Sequence, residues 1–313
     1  MAMKSSYFPK QFIDKYEKLL GEEWPAFLAS IEQKRPKAFW VNTNLATVDE
    51  VRASLEKRGI KFHNFPFHSQ AFYIEYRKPS ELVEYQQGKI SLQEKASMLP
   101  VVALAPKKTD TVFDTCAAPG MKTVQLSNLA GKVIATDVHS KRFGTLEKIK
   151  KNFALENVEL KRIDFRNIKR NKRFDKVLLD APCSSEGLIR KQREALVSWS
   201  PGLVYKKAGT QKHLIVRAFD YLKEGGEMIY STCSFAPEED EDIVNFLLEK
   251  RSEAEVIPVQ LKGMKIRENK LCKNCVRLYP QDNDTQQFFL AKIRKNPSKA
   301  RPVPEPKLAA PST

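Results

Sequence analysis

Four aspartates and two cysteines stand where apolar, β-branched runs give way to loops, and no other residues in the chain are so well suited to chemistry. Asp114 lies near the end of Thr111–Thr115, Asp137 closes Lys132–Asp137, Asp164 closes Val158–Asp164, and Asp180 nearly closes Lys176–Ala181. One such aspartate is ordinarily a turn or capping residue. Four of them, on strands running the same way, gather at one sheet edge, where open α/β sheets bind their ligands. Asp137 lies 23 residues past Asp114, near the spacing at which a carboxylate meets ribose hydroxyls. The first strand–helix turn, Cys116-Ala117-Ala118-Pro119-Gly120-Met121-Lys122, has neither GxGxxG nor GxxxxGK[ST]. Its small residues admit close backbone approach without a pyrophosphate cradle, so a nucleoside without a phosphate chain fits better than NAD or ATP. Cys183 and Cys233 follow two of the strands. Each alone reads as a small buried hydrophobe. Brought to one edge beside a nucleoside, they point to thiolate chemistry on a base.

The elements that must position these residues form a strand–helix alternation from residue 109 onward. To the four strands above the pattern adds Glu227–Thr232 and Glu255–Val259, with helices at 122–130, 141–155, 205–223 and 238–250. Such alternation predicts a mainly parallel sheet covered on both faces, the α/β class. A last strand, Gln287–Ile293, follows no long helix and is expected to insert antiparallel. Ahead of this unit, Phe8, Phe12 and Tyr16 recur at helical spacing, so a helix is expected over 8–31. A strand at 38–42 and a helix at 48–58, with Thr47 and Glu50 in capping-box positions and Gly59 closing it, open a small α+β module. Further strands at 60–65 and 71–76 complete it. The expected division is 1–90 for helix and module, 91–295 for the large sheet, and 296–313 for a flexible tail carrying five prolines.

Composition narrows the partner. The 313 residues carry 54 Lys+Arg against 38 Asp+Glu, a net charge of +16, which suggests a polyanion such as nucleic acid. A mean hydropathy of −0.47 and the lack of any long apolar run argue against a membrane span and a secretory leader. Five scattered cysteines do not form a disulfide framework, and a reducing cytoplasm is expected.

Three runs then resemble a known family: Asp114-Thr115-Cys116-Ala117-Ala118-Pro119-Gly120-Met121-Lys122-Thr123, Leu179-Asp180-Ala181-Pro182-Cys183-Ser184-Ser185-Glu186-Gly187, and Tyr230-Ser231-Thr232-Cys233-Ser234. They are similar to signature motifs of the Nop/Sun family of RNA (cytosine-5) methyltransferases, which use S-adenosylmethionine. The resemblance spans roughly residues 36–295 and includes Phe39–Asn44, Gly88–Leu104, Arg277-Leu278-Tyr279-Pro280 and Phe288-Phe289-Leu290-Ala291. It implies a Rossmann-like methyltransferase sheet beside an RNA-docking module. Cys233 would be the nucleophile, Cys183 would assist removal of the carbon-5 proton, Asp180 would hold the pyrimidine edge, and Lys122 could orient Asp180. The cofactor would lie on Cys116, Ala117, Ala118, Pro119, Gly120, Met121 and Lys122, with Asp137 at the ribose, Asp164 at the adenine, Asp180 near the methionine end and Arg142 nearby. Transfer RNA is the first expected substrate and ribosomal RNA the second. An RNA-binding assembly factor on the same fold is the competing reading, but it has no need of two cysteines and Asp180 together.

Two residues depart from the pattern: Met121, where glycine or serine is commoner, and Glu186, where serine or threonine is more usual. Cys272-Lys273-Asn274-Cys275 is a single CxxC without partner histidines, so no metal is expected. Trp199-Ser200-Pro201 reads equally as an RNA-facing loop or a core contact. The run Glu238–Asp242 reads as charge complementing a helix N-terminus. The protein is expected to act as a monomer, without an obligate protein partner.

Overall fold

Gly21 breaks the expected N-terminal helix in two. In the computed structural model, which describes residues 8–169, 171, 173–190 and 196–297, α1 (Lys10–Leu20) ends at Gly21. There φ is +54°, a conformation side chains resist. A single 3₁₀ turn leads into α2 (Trp24–Glu32). Both helices pack on the large unit. Phe12, Tyr16, Trp24 and Phe27 form one cluster with Ile189, Leu196, Trp199 and Phe235 of the large unit.

The module has β1 (Lys37–Val41), α3 (Val48–Lys57), β2 (Phe62–Asn64), β3 (Ala71–Ile74), α4 (Val83–Gln86) and β4 (Ile90–Leu92). Its sheet runs β2-β3-β1-β4, with every pair antiparallel. The capping box forms as the sequence predicts: Thr47 accepts from Glu50 N and the Glu50 carboxylate accepts from Thr47 N. Alternation along β1 divides the two faces. Phe39 and Val41 point to α3 with Val51 and Leu55, while Ala38 and Trp40 join the core of the large unit. Trp40 Nε1 also donates to Asn128 Oδ1 at 3.0 Å. β4, at residues 90–92, still belongs to this sheet.

The large unit opens on α5 (Lys95–Leu104), a helix the sequence pattern does not predict, and then follows the predicted alternation: β5 (Thr111–Asp114), α6 (Met121–Leu129), β6 (Lys132–Asp137), α7 (Ser140–Asn152), β7 (Val158–Arg162) and β8 (Phe174–Asp180). Then come α8 (Pro201–Asp220), β9 (Leu222–Thr232), α9 (Glu241–Lys250), β10 (Ala254–Ile257), β11 (Val276–Leu278), α10 (Pro280–Asn283) and β12 (Phe288–Lys295). The sheet order is β10-β12-β9-β8-β5-β6-β7, with β11 also paired to β12. The strands from β9 through β7 are parallel. β12 inserts antiparallel between β9 and β10, as expected of the last strand. Alternate strand residues face two apolar layers, Val112, Leu178 and Ile229 on one side and Phe113, Val177 and Tyr230 on the other. Arg170, Lys172 and the tail from residue 298, part of the basic run and the proline-rich end, lie outside the described residues. Among the described residues, no helix is long and apolar enough to cross a membrane.

Candidate active site

Parallel pairing carries β5, β6, β8 and β9 to one edge, and the chemistry-bearing residues follow. A cleft of about 270 Å³ opens there, lined by the turn 116–122, Asp114 and Asp180 together with Arg35, Gln93, Glu94 and Ser97. Gly120, at φ +120°, turns the chain into α6. A Cβ there would come within 2.8 Å of Leu146. Asp137, Arg142, Asp164, Cys183 and Cys233 do not line this cleft. Asp137 is buried and braces the turn: Oδ2 accepts from Ala118 N at 3.2 Å and Oδ1 from His139 N at 2.9 Å. Arg142 donates to the Ala118 carbonyl and lies 3.6 Å from Asp137 Oδ2. Asp164, just past β7, pairs with Arg166 at 2.6 Å, and the hydrogen bond from that guanidinium draws its pKa below the ordinary value.

Two arrangements stand beside the turn. Asp180 is held through both oxygens, by Ser231 Oγ at 2.8 Å and Lys122 Nζ at 2.7 Å. Lys122 also donates to Ser97 Oγ at 3.1 Å. Residues Asp180 and Ser231 are register partners on β8 and β9, and a few residues further on the sulfurs of Cys183 and Cys233 lie 3.0 Å apart as free thiols. The hydrogen bond to Cys233, together with burial, pushes the Cys183 thiol well above its usual pKa. Cys183 therefore keeps its proton in this arrangement. Cys116 differs: burial, with Asp137 and Asp114 beside it, raises its pKa and keeps it a thiol. Burial likewise pushes the Asp114 carboxyl up to about 7, although Thr123 donates to it at 2.8 Å.

Glu186 and the acidic run 238–242 do more than their sequence reading suggests. Glu186 is fully buried and accepts from Tyr16 OH at 2.6 Å, Phe235 N at 3.0 Å and Trp199 Nε1. It thus ties α1 to the loop that follows Cys233. Trp199 resolves to the core reading, at 5% exposure. Along the acidic run, Glu239 accepts from Ser184 N at 2.9 Å and Asp240 from Thr232 Oγ1 at 2.5 Å. Glu241 binds Arg277 at 2.6 Å. The run secures both cysteine loops as well as a helix end. Gly187 completes the junction by donating to the Cys233 carbonyl at 2.6 Å, and a Cβ there would strike that same oxygen. The only sequence signal for this hub was the unusual carboxylate at Glu186. Cys272 and Cys275 place their sulfurs 2.9 Å apart, and among the described residues no cluster of three or more His, Cys, Asp or Glu side chains is arranged to hold a metal.

Comparison with known proteins extends the geometry. Residues 101–294 match the 16S rRNA methyltransferase RsmB/F family, and residues 8–95 match the N-terminal domain of 16S rRNA methyltransferase RsmF. The chain is similar to the tRNA (cytosine(49)-C(5))-methyltransferase of Pyrococcus abyssi, 35% identical over 306 residues that cover 91% of this chain and 96% of that one. The ribosomal RNA small subunit methyltransferase F of Psychromonas ingrahamii is 33% identical over 92% of this chain. The match spans only 63% of that relative's length. A solved methyltransferase homologue from Pyrococcus horikoshii superposes with a TM-score of 0.81 at 32% identity, covering 94% of this chain and 100% of that one. With its central 194 residues matched to one family and relatives above 30% identity along nearly its whole length, the chain belongs to the RsmB/F, or Nop/Sun, family of RNA methyltransferases.

Proposed function

We propose that this protein transfers a methyl group from S-adenosylmethionine to carbon 5 of cytosine in structured RNA, with transfer RNA the first candidate and ribosomal RNA the second. The observation that carries the reading is the thiol pair Cys183–Cys233 beside the Lys122–Asp180–Ser231 hydrogen-bonded group. Transfer RNA is preferred because the relative covered to 96% of its length is named for it, whereas the ribosomal relative is covered to 63%.

The residues present fit the cofactor. The turn 116–122 is built of small residues around Gly120, and the Gln93 Oε1 acceptor, buried in the cleft wall, has no partner among the described residues and could receive an ammonium group. Val138, 58% exposed directly after Asp137, offers an apolar face for adenine. Asp137 would hold the ribose hydroxyls, and Asp164, released from Arg166, the adenine amino group. Arg142 keeps the turn in place through Ala118. When bound, S-adenosylmethionine supplies an electrophilic methyl group on a sulfonium.

The protein's own groups do the rest. The target base must leave its stack to reach the thiols. The Cys233 thiolate adds to carbon 6, forming a C–S bond; the C5–C6 pair shifts into a C4–C5 double bond and nitrogen 3 takes a proton from Asp180, leaving carbon 5 electron-rich. Carbon 5 takes the methyl group. With Cys183 assisting, the carbon-5 proton leaves to water; the C–H pair forms the C5–C6 double bond and expels Cys233 as thiolate, and nitrogen 3 returns its proton to Asp180. Methyl transfer from labelled S-adenosylmethionine to total transfer RNA and to ribosomal RNA, with the product identified by mass, tests the reading. 5-Methylcytosine is the expected product; a different methylated base would refute it.

A further inference from the structure

Arg35 lines the cleft half-buried, yet among the described residues no hydrogen bond or ion pair engages its guanidinium. Glu94, the carboxylate beside it, is already committed to backbone: its oxygens accept from Ala96 N at 2.7 Å, Ser97 N at 3.2 Å and Gln286 N at 3.0 Å. Burial, reinforced by nearby Arg190, draws the Arg35 pKa down. A guanidinium removed from water without a fixed partner is costly unless an anion completes it.

A second depression is lined by neighbouring residues of the same chain segments. A trough of about 540 Å³ lies between α2 and α10, lined by Gln33, Lys95, Lys265 and Asp284, with Ala26 and Ala29 on its α2 side. Gln33 is two residues from Arg35, Lys95 adjoins Glu94, and Asp284 is two residues from Gln286, so the same three chain segments line both depressions. Lys95 is half-buried with no carboxylate bonded to it among the described residues; its ammonium donates to the Asn283 carbonyl at 2.8 Å and sits over the Phe65 ring. The acids of the trough are already paired, Asp282 with Lys265 and Arg267 and Asp284 with Arg190. Gln281, on the same wall, carries a buried side-chain oxygen without a partner among the described residues.

From this we propose that the trough carries the RNA strand flanking the target cytidine, with Arg35 and Lys95 binding the phosphates where the strand turns into the cleft. The proposal rests on the RNA methyltransferase reading above. A free anion such as the cofactor's carboxylate would end inside the cleft. A polynucleotide must leave it, and the trough is a polar depression lined by the chain segments that flank Arg35 and Glu94.

The test measures binding of total transfer RNA at a series of salt concentrations for the wild type, Arg35→Ala, Arg35→Lys, Lys95→Ala and Lys265→Ala. S-adenosylmethionine affinity and methyl transfer are measured on the same preparations. Lys265 is exposed, so its removal spares the fold. Arg35→Ala and Lys95→Ala are expected to weaken RNA binding about tenfold and to lower the slope of log affinity against log salt by about 0.7 to 0.9 each. Lys265→Ala should do so less, Arg35→Lys should keep the slope, and cofactor affinity should not move. Unchanged RNA slopes would overturn the proposal, as would loss of cofactor affinity in Arg35→Ala, which would assign Arg35 to the cofactor's carboxylate. A wild type that binds RNA but methylates none would instead sink the catalytic reading, leaving the slopes to judge the trough separately.

Discussion

The sulfurs of Cys183 and Cys233 lie 3.0 Å apart, presented from neighbouring parallel strands whose ends are pinned by different acidic residues, Glu239 behind Ser184 and Asp240 behind Thr232. No base fits between sulfurs at that distance, so substrate entry must part them. The two thiols are unequal, and their removal should differ accordingly. Cys233→Ala is expected to abolish methyl transfer with cofactor binding intact. Cys183→Ala is expected to accumulate an RNA adduct that survives denaturing gel electrophoresis. An adduct in Cys233→Ala would reverse the two assignments.

Lys122 spans Asp180 and Ser97, so its charge and its geometry act together. Lys122→Met should reduce the single-turnover rate about 100-fold or more, the usual scale for losing a positioned proton-handling group. Ser231→Ala removes one of the two donors to Asp180 and should cost less. Equal losses from both, measured with saturating RNA and cofactor, would mean Lys122 acts only as a spacer.

Asp114 ties stability to pH. Its carboxyl is raised from 3.8 to about 7 by burial, so the folded chain holds a proton that the unfolded chain has released. The contribution is fully present below about pH 4 and is lost as pH rises through 7. Asp114→Asn can still accept from Thr123 and removes the titration. Relative to the wild type, the variant should gain on the order of 4 kcal/mol between pH 4 and pH 7.5, at about 1.4 kcal/mol per unit. Parallel denaturant curves at the two pH values would show a constant difference if Asp114 does not titrate there.

Glu186 supports several partners at once. Glu186→Ala leaves Tyr16 OH, Trp199 Nε1 and Phe235 N buried without an acceptor, and should destabilise by about 3 kcal/mol or more. Tyr16→Phe should cost about 1 kcal/mol, and less once Glu186 is gone. A double-mutant cycle in urea gives the coupling. Additive effects would show that α1 is held by its apolar face alone.

Local pattern made much of this molecule legible. The parallel strands, the antiparallel last strand and the Thr47 capping box follow from periodicity and from residues a few positions apart. Parallel topology is also enough to bring Asp114, Asp180, Cys183 and Cys233 to one edge. The contacts that escaped reading join distant parts of the chain. Lys15 meets Glu238 across 223 residues, Tyr16 meets Glu186 across 170, and Arg277 meets Glu241 across 36. Nothing in a helical face says which surface it will cover, so α1 and α2 could not be assigned to the large unit in advance. The acidic run illustrates the same limit, since charge at a helix start is sufficient reason for itself until the opposing backbone is seen.

β12 gives the order of synthesis a role in folding. β9, which leads into Cys233, is flanked by β8 on one side and by β12 on the other. On the ribosome β8 is available early, but residues 288–295 emerge some 56 positions after β9 is complete. Until then the strand bearing the nucleophile's loop presents an unsatisfied edge, open to pairing with a neighbouring nascent chain. A chain interrupted before Phe288 would keep that edge permanently. Premature termination should therefore yield aggregated polypeptide, and not a smaller enzyme with reduced activity.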